Sequence, residues 1–187
     1  GRGAHEGVLI RDAEALERFA KVDTLIVDKT GTLTEGKPAL TDVVAATGFE
    51  QEALLGLAAA LEQGSEHPLG AAIVAGAKSR GVSIPPAEAF EAITGKGVRG
   101  RVSGHDVALG NLALLGQMDV EPGTLKDEAE MLRTSGKSAV FLVVDSRAAG
   151  IVAVADTIKP SARDALRTLQ AHGLRIIMAT GDNRTTA

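Results

Sequence analysis

The stretch from Asp28 to Thr34, DKTGTLT, is the part of the sequence that decides the fold. It follows Thr24–Val27, TLIV, a short apolar run that predicts a buried β-strand. Ligands of open α/β sheets bind beside the carboxyl ends of the strands, so an aspartate here is placed to meet one. The glycine, the hydroxyl residues and Lys29 offer the N–H groups and positive charge that hold a phosphate. A carboxylate in this setting can attack a γ-phosphate and become an aspartyl-phosphate.

Composition excludes several classes of protein. The 187 residues are enough for one ordinary domain or two small ones, and a 44% hydrophobic content supports a packed core. The net charge of −4 mixes both signs, so a nucleic-acid partner is not expected. Cysteine is absent, which fits a reducing compartment and removes any thiolate metal site from this segment. The apolar run Ala139–Val144 is far below the roughly 20 residues that a membrane-spanning helix needs.

The two ends of the chain share the same order of predicted elements, a helix followed by a strand. Each end pairs a predicted helix with a predicted buried strand, and each strand is followed by a turn of hydroxyl residues and glycine. Two such turns at strand ends imply a parallel sheet with a shared crevice. The predicted elements are a helix at Ala13–Ala20, the strand ending at Asp28, a helix from Pro160 to His172 that Gly173 ends, a strand at Leu174–Ala179 and the turn Thr180–Asn183.

The middle of the chain has a different sequence pattern, with short predicted strands and helices that fit an antiparallel sheet with helices packed on it. It predicts an inserted α+β domain over residues 39–148, with a discontinuous α/β domain over residues 1–38 and 149–187 and junctions near Pro38 and Ala155. The predicted helices are Gln51–Gln63, Leu69–Ser79 and Leu125–Thr134, and the predicted strands are Val98–Val102, Val107–Leu109, Ala139–Asp145 and Gly150–Ala155.

A second motif, Ser65–Leu69 or SEHPL, lies in this middle block. One interpretation is structural, with Ser65 capping a helix whose first turn contains Pro68. The other is a ligand site built around His67. It is favoured by three further features of the block. These are Glu62 about one helical turn upstream, the Gly95-Lys96-Gly97 turn where absent side chains let backbone approach a ligand, and Gly110-Asn111 between a strand and a helix.

Taken in order along the whole chain, these motifs resemble the heavy-metal-transporting P-type ATPases, and most closely the copper exporters. Asp156–Pro160 and Thr180–Asn183 complete the match. The resemblance implies a Rossmann-like, haloacid-dehalogenase-type phosphorylation domain, here incomplete, interrupted by an α+β nucleotide-binding domain with an antiparallel sheet. It also implies a soluble segment on the cytoplasmic face of a membrane protein, with Gly7–Arg11 where the chain leaves the membrane.

The resemblance also implies a site that uses ATP and Mg²⁺. Asp28 is the nucleophile, with Lys29 and Thr30 beside it. Mg²⁺ takes an Asp28 oxygen and the Thr30 backbone carbonyl, which are hard oxygen ligands. Thr180 and Gly181 hold the transferred phosphoryl group. Asp156 helps to position the loop or the Mg²⁺ shell, and Lys159 is either part of this region or a solvated charge. The nucleotide-binding residues are Glu62, His67, Gly95, Gly97, Gly110 and Asn111.

Parts of the family's pattern have no counterpart in these residues, namely a later lysine and a Gly-Asp-Gly-x-Asn-Asp segment. We therefore expect the chain alone to bind nucleotide with little turnover. Its expected partners are ATP, the actuator domain of the same pump and a transported metal ion, copper before zinc or cadmium. Two other classes stay open, a haloacid-dehalogenase-like phosphatase and a non-catalytic nucleotide-binding module. Thr30 stands where such phosphatases usually carry a second aspartate, which argues against the first.

Overall fold

The computed structural model describes residues 12–179, which form two compact units: residues 12–34 with 158–179, and residues 35–157. Gly7–Arg11 and Thr180–Asn183, for which the sequence predicted a membrane exit and a phosphate turn, lie outside the described residues. In chain order the elements are α1 (Ala13–Phe19), β1 (Thr24–Asp28), β2 (Thr34–Ala45), α2 (Gln51–Glu62), α3 (Pro68–Ser79), β3 (Ala87–Ile93), β4 (Gly97–Val102), β5 (His105–Gly110), α4 (Leu112–Gln117), α5 (Leu125–Thr134), β6 (Ser138–Val144), β7 (Arg147–Ile158), α6 (Pro160–Ala171) and β8 (Arg175–Ala179).

The first unit is built around the parallel pair of β1 and β8. Their register runs from Thr24 opposite Arg175 to Asp28 opposite Ala179, so both strands end at the same edge. Helix α6 leads into β8 and ends before Gly173, whose positive φ of 86° allows the chain to turn. The order of helix and strand and the parallel pairing predicted for the two ends of the chain are therefore confirmed.

The predicted burial of these two strands is wrong. In β1 only Val27 is buried, whereas Ile26 is 68% exposed and Met178 of β8 is 44% exposed. An apolar run predicts burial because strands of parallel sheets are covered on both faces. Within the described residues this sheet has two strands, too few to be covered on both faces.

The second unit contains a six-stranded sheet with the order β2-β7-β6-β5-β4-β3. The neighbouring strands from β3 to β7 are antiparallel. Helices α2 and α3 cover one face, and α4 and α5 cover the other. The period of two along each strand divides the core: Leu142 and Val144 of β6 face the first pair of helices, and Phe141 and Val143 face the second. The predicted α+β fold with an antiparallel sheet is confirmed.

The limits of this unit differ from the boundaries that the sequence suggested. The predicted inserted domain ended at residue 148, which lies inside β7, and the compact unit continues to residue 157. At the other end the division comes after Thr34 rather than at Pro38. Because β7 lies between β2 and β6 in the sheet, the strand belongs with the second unit as far as Thr157.

The sequence analysis missed two strands, β2 and β3, which form the edges of the sheet. Strand β2 contains Pro38, and β3 has an irregular register around Ala89, whose φ is 50°. Edge strands tolerate proline and bulges because one side of their backbone is unpaired. These same features weaken the apolar alternation that identifies a strand in sequence.

Candidate active site

Asp28 is the last residue of β1, and its side chain is exposed. Its register partner Ala179 is the last described residue of β8, so Thr180 and Gly181, the predicted phosphoryl-holding residues, lie outside the described residues. The carboxylate therefore stands at the carboxyl edge of a parallel strand pair. This is the edge at which open α/β sheets bind ligands.

The loop Lys29–Leu33 turns sharply at Gly31, where φ is 76° and ψ is −16°. Thr34, buried to 1% exposure, closes this loop from the start of β2. Its hydroxyl donates to the Lys29 carbonyl at 3.1 Å and accepts from the Gly31 N–H at 3.0 Å. One side chain thus pairs the Gly31 N–H and gives the Lys29 carbonyl a second donor, in addition to the backbone N–H of Thr34.

Lys159 contacts the same loop from the start of α6. Its ammonium donates to the Gly31 carbonyl at 2.8 Å, and its backbone N–H donates to the Leu33 carbonyl at 2.9 Å. The sequence left this residue as either a functional group or a solvated charge, and the structure gives its ammonium a partner in the loop. Asp156, by comparison, accepts from the backbone N–H of Lys37 at 3.2 Å within the second unit.

Glu62 is the last residue of α2 and is only 7% exposed. Within residues 12–179 its Oε2 atom has no hydrogen-bond partner. Burial raises the pKa of this carboxyl, and a hydrogen bond from Ser65 and the nearby His67 oppose that shift. The carboxylate is packed directly against Gly70, where an added Cβ would overlap Oε2. A buried acceptor without a donor is costly for folding and calls for an explanation, such as a ligand that supplies the donor.

His67 begins α3, but not in the way the structural interpretation predicted. Its own ring is the cap, because Nδ1 accepts from the Leu69 N–H at 3.1 Å. The Ser65 hydroxyl accepts from the His67 N–H instead, at 3.2 Å. The prediction of Ser65 as the N-cap is therefore wrong, whereas Pro68 does occupy the first turn. Since Nδ1 accepts, the neutral ring carries its proton on Nε2, which leaves an N–H donor on an exposed side chain.

Asn111 ties the glycine turn to a helix. Its Oδ1 accepts from the N–H groups of Ala113 and Leu114 and caps α4, while its Nδ2 donates to the Gly95 carbonyl at 2.8 Å. Gly95 has a φ of 72° and open space around its Cα, so the turn needs glycine there for its conformation.

Gly97 and Gly110 are paired opposite each other in β4 and β5. A Cβ on Gly97 would overlap the Leu109 carbonyl, and one on Gly110 would overlap the Lys96 carbonyl. The space that these glycines leave is filled by the neighbouring strand. This close approach of two backbones explains on structural grounds why both positions are glycine. Their contact with a ligand stays a prediction.

The predicted nucleotide residues form two groups in the second unit. One is the α2–α3 corner with Glu62 and His67, and the other is the β4–β5 end with Gly95, Gly97, Gly110 and Asn111. Helix α2 packs on β4, where the Leu61 side chain lies close to Gly100. The helix that ends at Glu62 and the strand that begins at Gly97 are therefore packed against each other.

The residues beside Asp28 suit Mg²⁺. The Asp28 carboxylate and the Thr30 carbonyl are hard oxygen donors, two residues apart on an exposed loop. Mg²⁺ is usually bound through one or two carboxylates and keeps water and substrate phosphates as its other ligands, so this sparse donor set fits it. No cluster of three or more His, Asp or Glu residues that could hold a metal occurs among residues 12–179.

The haloacid dehalogenase-like hydrolase family matches residues 22–187. This match covers most of the chain, and the chain belongs to that family. The family fits the geometry already described, an aspartate at the end of a parallel strand followed by a glycine-containing turn.

Proteins similar to this chain along its whole length are metal-transporting P-type ATPases. It is 59% identical over 187 residues to the copper-transporting P-type ATPase of Rhizobium leguminosarum bv. viciae, and 50% identical over the same length to the copper-exporting P-type ATPase of Legionella pneumophila. It covers 22% and 25% of those two proteins. The resemblance drawn from the sequence motifs is confirmed.

A solved structure gives the same result for the fold. The crystal structure of a zinc-transporting PIB-type ATPase superposes with a TM-score of 0.89 at 36% identity, over 98% of this chain and 30% of that chain. In the part of the chain that the structure describes, no helix is both long and apolar enough to cross a membrane.

Proposed function

We propose that this chain is the ATP-binding and autophosphorylation region of a copper-exporting P-type ATPase, on the cytoplasmic side of the membrane. The observation that carries the proposal is the position of Asp28, exposed at the carboxyl edge of a parallel strand pair and followed by a loop that Thr34 and Lys159 hold. The identity of 59% over the whole chain with a copper-transporting P-type ATPase supports the same assignment.

In the proposed reaction an Asp28 oxygen attacks the γ-phosphorus of ATP. A new oxygen–phosphorus bond forms, the bond from the γ-phosphorus to the bridging oxygen breaks, and ADP leaves with the electron pair. Catalysis of this transfer depends on positioning and on electrostatic stabilisation. Lys29 adds positive charge next to the nucleophile, and the turn at Gly31 fixes the direction of the loop that follows it. Thr180 and Gly181 are proposed to hold the phosphoryl group.

Asp28 and the Thr30 carbonyl are proposed to hold Mg²⁺. When bound, this ion neutralises charge on the phosphates. The protein's own part is to keep the two oxygen donors in place, which the hydrogen bonds to Lys29 and Gly31 within the loop support.

The second unit is proposed to bind the nucleotide. Glu62 offers an unpaired, buried acceptor, and His67 offers an exposed Nε2–H donor one short loop away. These groups can orient the adenine end of ATP, whose amino group is a donor. Gly95, Gly97, Gly110 and Asn111 shape a rigid backbone edge near the same helix. Among the described residues the buried polar side chains are Glu62 and Thr34, one in each proposed site.

Copper is the proposed cargo, and a zinc exporter is the second candidate. The copper-transporting relative is 59% identical, against 36% for the solved zinc-transporting ATPase. ATPase assays on the full-length protein that contains this chain test the choice. Copper(I) should stimulate hydrolysis in a membrane preparation, with zinc and cadmium inactive. Stimulation by zinc alone would identify the protein as a zinc exporter. The absence of any ATPase activity would contradict the proposal that it is a pump.

A further inference from the structure

We propose that Lys159 is a positioning residue for phosphoryl transfer. Its ammonium fixes the Gly31 carbonyl, and so holds the loop that presents the Asp28 carboxylate and the Thr30 carbonyl. The inference rests on the proposed role of Asp28 as the nucleophile.

Lys159 makes two contacts to one loop from a position 128 residues away in sequence from Gly31. The ammonium bonds to the Gly31 carbonyl at 2.8 Å, and the backbone N–H bonds to the Leu33 carbonyl at 2.9 Å. A solvated surface lysine would have no such partners. The side chain is half-buried, so its ammonium is less free to exchange this bond for water.

Both backbone polar groups of Gly31, its N–H and its carbonyl, are hydrogen-bonded to side chains of other residues. Its N–H is bound by the Thr34 hydroxyl at 3.0 Å, and its carbonyl is bound by Lys159. Glycine has more backbone freedom than any other residue, and a turn at φ 76° has no side chain of its own to restrain it. The restraint therefore comes from two other residues, and Lys159 supplies the carbonyl half of it.

The backbone of Lys159 is itself restrained. It is the residue before Pro160, the first residue of α6, and has φ −57° and ψ 135°. The proline ring excludes the helical conformation for the preceding residue, so the lysine is locked in an extended form. A charged donor makes a stronger hydrogen bond to a carbonyl than a neutral one. Arginine keeps the charge and the donors, whereas methionine keeps the apolar stem alone.

The test is rapid-quench phosphorylation of the full-length pump with γ-labelled ATP and Mg²⁺. The variants are Lys159→Met, Lys159→Arg and the control Lys21→Met, an exposed lysine of the same unit. Three quantities are measured: the rate constant at saturating ATP, the ATP concentration at half-maximal rate and the amplitude of labelling. A nucleophile displaced by about 1 Å loses roughly 10- to 100-fold in rate, so Lys159→Met should lose that much in its rate constant.

The expected pattern is a slow rate constant for Lys159→Met with an unchanged half-maximal ATP concentration, recovery of most of the rate by Lys159→Arg, and a normal Lys21→Met. A normal rate constant with reduced amplitude would show that Lys159 serves only folding, and an arginine variant as slow as methionine would show that the donated bond is irrelevant. Either result overturns the inference while the proposed function stands. An unmutated pump that takes up no label overturns the proposed function, and the inference with it.

Discussion

At the scale of single residues, Glu62 shows most directly how burial changes the chemistry of a side chain. A carboxylate 7% exposed with an unpaired oxygen is expensive when charged, and burial accordingly raises its pKa. The folded chain tolerates this cost at the place where the motifs predict a nucleotide. His67, at the same α2–α3 corner, accepts the Leu69 N–H at Nδ1 and has its Nε2–H on an exposed side chain.

We predict that Glu62→Gln stabilises the chain increasingly as pH rises. A carboxyl whose pKa is raised on folding binds its proton more tightly in the folded state, so its stability contribution is full below the unfolded value of 4.5 and is lost as pH rises through the folded value. Glutamine has no such loss. Urea unfolding at pH 4 and pH 7 should show the variant close to the parent at pH 4 and more stable at pH 7.

Glu66→Gln is the matched control, because that neighbouring side chain is exposed. It should follow the parent chain at both pH values. A Glu62→Gln variant that is less stable than the parent at pH 7 would contradict the burial argument.

We predict that His67→Asn weakens ATP binding without weakening the fold. Asparagine is a strong N-cap and replaces the bond from Nδ1 to the Leu69 N–H, but it removes the imidazole Nε2–H. Loss of one hydrogen bond to the nucleotide should lower the affinity about tenfold. Calorimetric ATP titration and thermal melting of the two proteins give the answer. Equal ATP affinities would leave His67 with its capping role alone.

At the scale of elements, strongly periodic segments were predictable and the sheet edges were not. Helix α5 and the β6–β7 hairpin are predicted by the spacing of their apolar residues. Strands β2 and β3 have mixed, mostly exposed residues, and their extended conformation depends on pairing with the rest of the sheet. The motifs predict Asp28, Glu62 and His67 as site residues, and these assignments stay predictions. The sequence could not identify the partners of the loop, since the contact of Lys159 with Gly31 joins residues 128 positions apart.

The β4–β5 end depends on glycine for close backbone approach. We predict that Gly97→Ala destabilises the chain by about 1–3 kcal/mol or more, because φ 151° is strained for alanine and the new Cβ meets the Leu109 carbonyl. Gly116→Ala is the control, as it lies within α4 with no atom near the added Cβ. Thermal or urea unfolding should separate the two. A Gly97→Ala variant as stable as Gly116→Ala would contradict the close approach of β4 and β5.

At the scale of the whole molecule, the two proposed tasks fall in different compact units. The proposed nucleotide-binding residues all lie between 35 and 157, and Asp28 with its loop lies in the other unit. Composition and motif order led to the prediction of a discontinuous domain around an insertion, and this stays a prediction. The ends of the insertion are part of that prediction, and in the structure β7 runs without a break from Arg147 to Ile158.

We predict that a protein of residues 35–157 folds alone and binds ATP, whereas residues 39–148 do not fold stably. The shorter piece loses most of β7, an inner strand, together with buried Ile151, Val152 and Ala153. Removing such apolar side chains costs several kcal/mol in a domain of ordinary stability. NMR spectra of both pieces with added ATP provide the measurement, with shifts expected at Gly95 and Gly97. A folded 39–148 piece would contradict the boundary, and absence of shifts at millimolar ATP would contradict the nucleotide site.

The central claim is that Asp28 accepts the γ-phosphate. Its most direct test is acid-stable labelling of the full-length pump by γ-labelled ATP and Mg²⁺, comparing the parent with Asp28→Asn. The amide keeps the shape of the carboxylate but lacks the charged oxygen that attacks phosphorus, so labelling should disappear while ATP binding remains. Because the Asp28 side chain is exposed, the substitution should leave the fold intact, and ATP binding checks this. Robust acid-stable labelling of the Asp28→Asn pump would contradict the account.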